Sequence, residues 1–396
     1  MNESPVEKQI KEKANRQDAW QPQIFDLKNA ADRDAVEKLF SERLILEVSD
    51  DFLEEQKEYF AVTHPTLVYK PGFEDAFREY IDQLEKSSPA LQQGKWVYFP
   101  WMGTLSHILD EEEFYEVRTA RNKNLITKKE QDIFYHAVVG IGGMSVGSSV
   151  ALAIVLQGGA KHIKLADHDR LALSNMNRIR AGAENLGVLK VVMAARQIYA
   201  MNPYSHVEIF PDGITADNIE NFFKDLDVMV DEIDNLAVKV LIREYAERNK
   251  VPVVMAADNG DNALVEIERH DLGKKVAYFH SRMGDALHES FAKLGKMETG
   301  RMIGQWVGPE NIADRMKESL FEIGKTIVSW PQLGGAALLN GAIVAYCVRK
   351  ILTGEPLVDD RGIISLDEVL VDGYNTPEAR EKRAAATEHF KKMMGM

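Results

Sequence analysis

Short apolar runs alternate with longer apolar helical patterns from His136 to Ala257, and this alternation predicts an α/β sheet. His136-Ala137-Val138-Val139 reads as a strand, and Val146 to Leu156 as a helix with small or apolar residues on all sides. Ile163-Lys164-Leu165-Ala166 and Val228-Met229-Val230-Asp231 read as further strands, with a helix from Val191 to Met201 between them. Near-continuous apolar runs of this kind suit strands covered on both faces. Upstream, Ala35 to Phe40 and Phe73 to Leu84 have helical spacing, Trp96-Val97-Tyr98-Phe99 is a short strand stopped by Pro100, and Asp110 to Glu113 open a helix with acids in its first turn. Downstream, Val265-Glu266-Ile267-Glu268 alternates like a half-exposed strand, and Ala277 to His280 is expected to follow it as another. An apolar helix runs from Ala336 to Leu352, and the charged residues from Thr376 are helical in spacing. The expected organisation is a tail at 1–20, an N-terminal accessory domain at 21–115, a nucleotide-binding domain at 116–375 and a C-terminal helical tail at 376–396.

Glycines punctuate the first strand-to-helix turn at Gly140, Gly142, Gly143 and Gly147. In such a turn Gly140 allows the bend, Gly142 lets the backbone approach a phosphate, and Gly147 lets helix and strand pack closely. The free N–H groups and the positive end of the helix dipole then face an anion. Asp167 closes the next strand about twenty residues on, where an acid commonly holds a ribose hydroxyl, and Asp169 lies beside it. The fold class expected is Rossmann-like α/β, a mostly parallel sheet with helices on both faces, carrying an N-terminal α+β arm and a C-terminal helical extension. A dehydrogenase fits these features equally well.

Basic and polar residues beside the phosphate position separate the two readings. Asn175 and Arg178 lie three apart, so on one helical turn they share a face, and Lys190 opens the next apolar helix. A hydride-transfer enzyme needs one pyrophosphate held. An enzyme that expels pyrophosphate must neutralise charge building on a leaving group, which calls for Arg and Lys beside the phosphates and a carboxylate for Mg²⁺. Asp231-Glu232-Ile233-Asp234-Asn235 puts carboxylates at the carboxyl edge of the sheet, with Asp234 the metal candidate. Taken singly each residue has a plainer role: Asn175 as a turn cap, Arg178 as a surface partner, Lys190 as a solvated first-turn lysine.

The ordered set Gly140-Ile-Gly-Gly-Met-Ser-Val-Gly147, Asp167-His-Asp169, Ser174-Asn-Met-Asn-Arg178, Lys190 and Asp231-Glu-Ile-Asp-Asn235 resembles the adenylating module of the ubiquitin-activating-enzyme-like superfamily, the ThiF/MoeB type. Arg118-Thr-Ala-Arg121-Asn122 resembles the arginine-bearing segment that precedes its first strand. The resemblance spans roughly Arg118 to His270. It implies ATP and Mg²⁺, and adenylation of a carboxyl terminus on a ubiquitin-like or sulfur-carrier protein or a peptide, in a homodimer. It also implies Asp167 on the ribose, Asn175, Arg178 and Lys190 on the phosphates, Asp234 on magnesium, and Arg121 as an arginine finger reaching a second subunit. Ser145 stands where the glycine loop usually has another glycine, and Ile179 where glutamine is usual. Trp330 to Gly335 and the helix after it resemble the segment that closes this family's sheet and borders the carboxyl-tail groove. Similar modules occur joined to nitroreductase-like domains in larger bacterial proteins, and Trp96 to Asn122 resembles theirs. The alternative function is therefore an NAD(P)- or flavin-linked redox protein, or a nucleotide-binding partner module of one.

One cysteine in 396 residues, Cys347, lies in the apolar run Ala342 to Val348 and reads as core. Without Cys-x-x-Cys pairs no thiolate zinc site is possible, so no zinc is expected. His270, His280 and His288 show no metal spacing, and Gly324-Lys325-Thr326 is no phosphate loop, since Ser319 occupies the place of its first glycine. No run of eighteen apolar residues occurs, and a net charge of -14 disfavours a broad nucleic-acid face. The expectation is a cytoplasmic enzyme without membrane or nucleic-acid partners.

Overall fold

Apolar periodicity resolves into two separate sheets in the computed structural model, which describes Ser4, Val6, Lys8, residues 19–283 and residues 296–396. The chain divides into two units, residues 1–131 with 195–205, and residues 132–194 with 206–396. The division follows Gln131, and residues 195–205 return to the first unit. Most of the expected 1–20 tail, and His288, lie outside the described residues.

The first unit contains β1 (Gln23–Phe25), β2 (Glu47–Asp50), β3 (Lys95–Phe99) and β4 (Thr104–Ile108), in the order β1-β3-β4-β2. Only the β2–β4 pair is parallel. Alternate side chains of β3 serve different clusters: Trp96 and Tyr98 join Phe25, Val36, Leu39 and Leu105, while Val97 and Phe99 join Ile108, Trp101 and Phe114. Both faces of this strand are thus covered. His107 is clamped between the rings of Phe52 and Trp96, with centroids 4.0 and 4.3 Å away.

Within this unit Glu55, on the helix Phe52–Thr63, accepts a hydrogen bond from the Leu109 N–H at 2.9 Å. Burial pushes its carboxyl up to about 7. A carboxyl raised in the folded state binds more protons there than when unfolded, so its contribution falls as pH climbs from about 4.5 through 7. Glu55→Gln keeps an oxygen acceptor and removes the titration. The variant is expected to melt above the wild type at about pH 8 and to match it near pH 4.5, as thermal melts across that range will show.

The second unit contains β5 (Val138–Gly142), β6 (His162–Ala166), β7 (His206–Phe210), β8 (Val228–Asp231), β9 (Val253–Asn259), β10 (Asn262–Glu268) and β11 (Arg361–Ile364). Their order is β11-β10-β9-β8-β5-β6-β7. The strands from β9 to β7 run parallel, and β10 and β11 are antiparallel additions. β5 pairs with its successor β6 on one side and with β8 on the other, which makes the β5/β8 boundary the topological switch point. Helices lie on both faces: Ile141 of β5 approaches Gly147 of the helix Gly147–Leu156, while Gly140 approaches Phe222 of the helix Ile219–Phe223.

By length and composition the helix Gly334–Leu352 could span a bilayer, yet half of it is buried in the fold. Its Gly341 sits so close to the helix Gly147–Leu156 that a Cβ there would lie 2.8 Å from the Ser149 backbone. Cys347 on this helix is buried, and desolvation pushes its thiol up to about 11, so it is an inert core group.

Two expectations beyond Ala257 are corrected. β10 is buried along its whole length, not half-exposed. Its alternating glutamates are interior ion-pair partners: Glu266 of Arg361 and Arg282, Glu268 of Arg243. Ala277 to His280 forms no strand. Tyr278–Ser281 is a tight 3-10 turn in which Phe279 and His280 take positive φ of 53° and 49°, because the turn carries the Phe279 N–H onto Glu268 at 2.7 Å.

Candidate nucleotide site

The glycine turn sits at the carboxyl end of β5. Gly143 makes the bend with φ of +84°, and a Cβ on it would lie 2.2 Å from the Glu232 carbonyl oxygen, so both conformation and space require glycine. Its N–H donates to the Ala166 carbonyl at 2.8 Å, tying the turn to β6, while the Glu232 N–H donates to Gly142 at 2.9 Å, tying it to the loop after β8. Gly140 does not make the turn. It lies inside β5, where its missing side chain admits Phe222 and Leu226. Gly142 gives room to Ile233, and Gly147 packs against Ile141 as its position in sequence suggested.

Asp167, nearly buried at the end of β6, accepts from the Met144 N–H of the glycine turn at 2.6 Å and from the Asp169 N–H at 2.7 Å. These bonds hold one carboxylate against the glycine turn and fix the turn that follows β6. Lys190 is only 5% exposed and donates to Asp169 at 2.7 Å, with Asp167 at 3.9 Å. The hydrogen bond from Lys190 holds the Asp169 carboxyl below its usual range. An ammonium held by two acids beside the loop is no solvated first-turn lysine.

Arg178 reaches the loop from the other side: its Nε donates to Ser145 Oγ at 2.9 Å, and Nη1 to Asn177 at 3.0 Å. Ser145, the departure from the usual glycine, is therefore the anchor that brings the guanidinium to the turn. Asn175 ends a 3-10 turn at Leu173–Asn175, and its side-chain oxygen accepts from the Ala172 N–H at 3.0 Å. That oxygen is committed to capping, so the group left to offer a phosphate is the side-chain NH₂. Arg121 lies exposed in the 3-10 turn Ala120–Asn122 of the first unit.

The three acids at and after the end of β8 separate by environment. Asp231 is fully buried between Lys239 at 3.2 Å and Arg243. Burial opposes its ionisation, but those two cations outweigh it and hold the carboxyl below its usual range. Glu232 accepts from the Ala256 N–H at 3.0 Å, and burial raises its carboxyl well above the usual range. Asp234 alone of the three is exposed, and it lines the same cavity as Ser145 and Arg178. An unburied carboxylate on the cavity that Arg178 also lines has the chemistry to hold a hard divalent ion with retained waters, as Mg²⁺ requires.

Residues far apart in sequence complete the rim. Asp258, at the end of β9, accepts from Asn340 and, at 3.1 Å, from Gln332; burial raises its carboxyl despite the nearby Arg178. Asn177 donates to the Gln332 carbonyl at 2.7 Å, so the Trp330-to-Gly335 segment is tied to the arginine-bearing turn. Elsewhere among the described residues, the ligand atoms of His162, His206 and Glu208 lie within 4.8 Å of one another, as do those of Glu266, His280 and Asp360. The second set is engaged by Arg282 and Arg361.

Residues 124–267 match the ThiF family. An uncharacterized protein of Mycobacterium tuberculosis, MT1398, is 32% identical over 304 residues, covering 75% of this chain and 42% of that protein. The tRNA threonylcarbamoyladenosine dehydratase of Escherichia coli is 32% identical over 142 residues, 35% of this chain and 52% of its own length. The sulfur carrier protein adenylyltransferase of Thermus thermophilus is 27% identical over 157 residues, 39% of this chain and 55% of its own. The chain thus spans about half the length of the curated relatives it matches. The glycine turn, Asp167, Arg178, Lys190 and Asp234 all fall within residues 124–267, the span of this chain that matches the ThiF family.

Proposed function

We propose that the protein is an ATP-dependent adenylyltransferase that activates the C-terminal carboxylate of a ubiquitin-like protein, sulfur-carrier protein or peptide as an acyl-adenylate. The observation that carries this reading is the convergence of Arg178 and Lys190 on one glycine turn at the sheet's switch point, the first through Ser145 and the second beside Asp167, which accepts from the Met144 N–H of that turn. A coenzyme that stays intact needs no second cation there; a departing pyrophosphate does. Bound ATP with Mg²⁺ supplies the electrophilic phosphorus and the leaving group.

The chain's own groups divide the remaining work. With the Gly143 and Met144 N–H groups committed to Ala166 and Asp167, the first-turn N–H groups of the helix Gly147–Leu156 are the backbone donors offered to the phosphates. Asp167 is placed for the ribose, Asn175 offers its NH₂, and Asp234 is the carboxylate available to the metal. Lys190 exchanges its pairing with Asp169 for the phosphates, and Arg178 is already oriented by Ser145. Homodimer assembly, with Arg121 acting across subunits in the cytoplasm, belongs to the same proposal.

Thermal unfolding tests the choice of nucleotide. ATP with Mg²⁺ is expected to stabilise the protein by about 2.7 kcal/mol at a hundred times its dissociation constant. NAD, NADP and FAD are expected to leave the transition unmoved. Stabilisation by a nicotinamide or flavin cofactor, with none from ATP, would favour the redox alternative.

A further inference from the structure

Arg178, Ser145 and Asp234 line a cavity of about 400 Å³. Much of its remaining lining is apolar, from Leu264, Phe279, Trp306, Ile312 and Trp330, the first four also members of the unit's hydrophobic core, beside the polar Lys239, Asp258 and Gln332. Protein interiors are close-packed, with few voids larger than a water molecule, because atoms lining a gap lose their contacts. A space of this size falls within the ordinary range for ligand pockets.

Its position ties it to the chemistry. The same cavity wall carries the arginine anchored on the glycine turn, so an apolar group filling the space belongs to the molecule being activated. A Gly-Gly end has no side chain with which to do so.

Resting on the adenylation reading, we propose that this cavity receives the end of the activated chain and selects a bulky apolar side chain at its C-terminal residue, in place of glycine. The occupant is a peptide or protein tail that combines a free carboxylate at its end with a leucine- or phenylalanine-sized side chain. Ile303, which is half-buried on the cavity wall, limits the room available.

Calorimetric titration of the full chain, with ATP and Mg²⁺ present, tests this with acetylated heptapeptides identical except for a final Gly-Gly, Gly-Leu or Gly-Phe. The Leu- and Phe-ended peptides are expected to bind at least about tenfold more tightly than the Gly-Gly peptide, with a negative heat-capacity change that marks apolar burial. Ile303→Trp, which fills the space, is expected to erase that preference; should it fail to fold, the comparison with the wild-type chain still decides. Equal or tighter binding of the Gly-Gly peptide, or binding of none of the three, overturns the proposal. Pyrophosphate exchange in the same mixtures keeps the two readings apart. Preferential binding of the apolar ends without any exchange leaves the selectivity standing and counts against adenylation.

Discussion

Lys190→Ala and Arg178→Ala are each expected to slow ATP–pyrophosphate exchange by about 10²- to 10³-fold, the usual consequence of removing one donor from a charge-stabilising set. The two side chains are not equivalent, and the variants should show it. Lys190 is almost buried and neutralises Asp169, so its loss leaves two carboxylates, Asp167 and Asp169, facing the phosphate position. ATP affinity should therefore fall together with turnover. Arg178 is partly exposed and docks on the loop through Nε. If its guanidinium serves mainly the charge that develops as pyrophosphate leaves, Arg178→Ala lowers kcat with a smaller change in KM for ATP. Arg178→Lys keeps the charge but not the planar fork, and should recover only part of the rate. Exchange that proceeds at the wild-type rate in both alanine variants would show that neither residue touches the leaving group.

The second large effect lies behind the site. Arg243 is 0% exposed and bridges Asp231 and Glu268, donating to Glu268 at 2.8 Å, with its guanidinium 4.1 Å from the centre of the Phe279 ring. Replacing it by methionine leaves two buried carboxylates, with Lys239 the cation still beside Asp231. Removing one partner from a buried pair costs about 3–5 kcal/mol. Arg243→Met is expected to lower the unfolding free energy of the second unit by that amount, read by urea titration with hydrogen exchange resolving the two units. Adding Asp231→Asn and Glu268→Gln should restore much of the loss, since the uncompensated charge is then gone. Because Asp231 begins the loop that carries Asp234, the single variant should also weaken ATP binding.

Much of this architecture was legible because local patterns and tertiary packing agree. The apolar run Val228 to Asp231 forms β8 with those same ends, and the helices expected from Val146 and Val191 begin within one residue of them, at Gly147 and Lys190. Where local pattern and tertiary context disagree, the reading failed. Val265-Glu266-Ile267-Glu268 alternates as an exposed strand does, but the arginines that neutralise the glutamates come from positions 243, 282 and 361. Nothing local announces them.

The site shows the same division. That Gly143, Asp167, Arg178 and Lys190 gather around one turn was legible through residue type and order. Ser145 read only as a missing glycine, although an Oγ beside a phosphate loop with an arginine downstream was the available clue. Asp258, Gln332 and Asn340 meet only after folding brings segments more than seventy residues apart together. The Gly140 misreading has the same origin: a strand glycine and a turn glycine look alike until Phe222 is seen packing against the first.

Crystals of the protein with a non-hydrolysable ATP analogue and magnesium test the central claim most directly. The triphosphate is predicted to lie over the Gly143 turn within hydrogen-bonding reach of Arg178 and Lys190, with the ribose on Asp167 and the metal beside Asp234. A nucleotide bound with its phosphates away from both cations would contradict it.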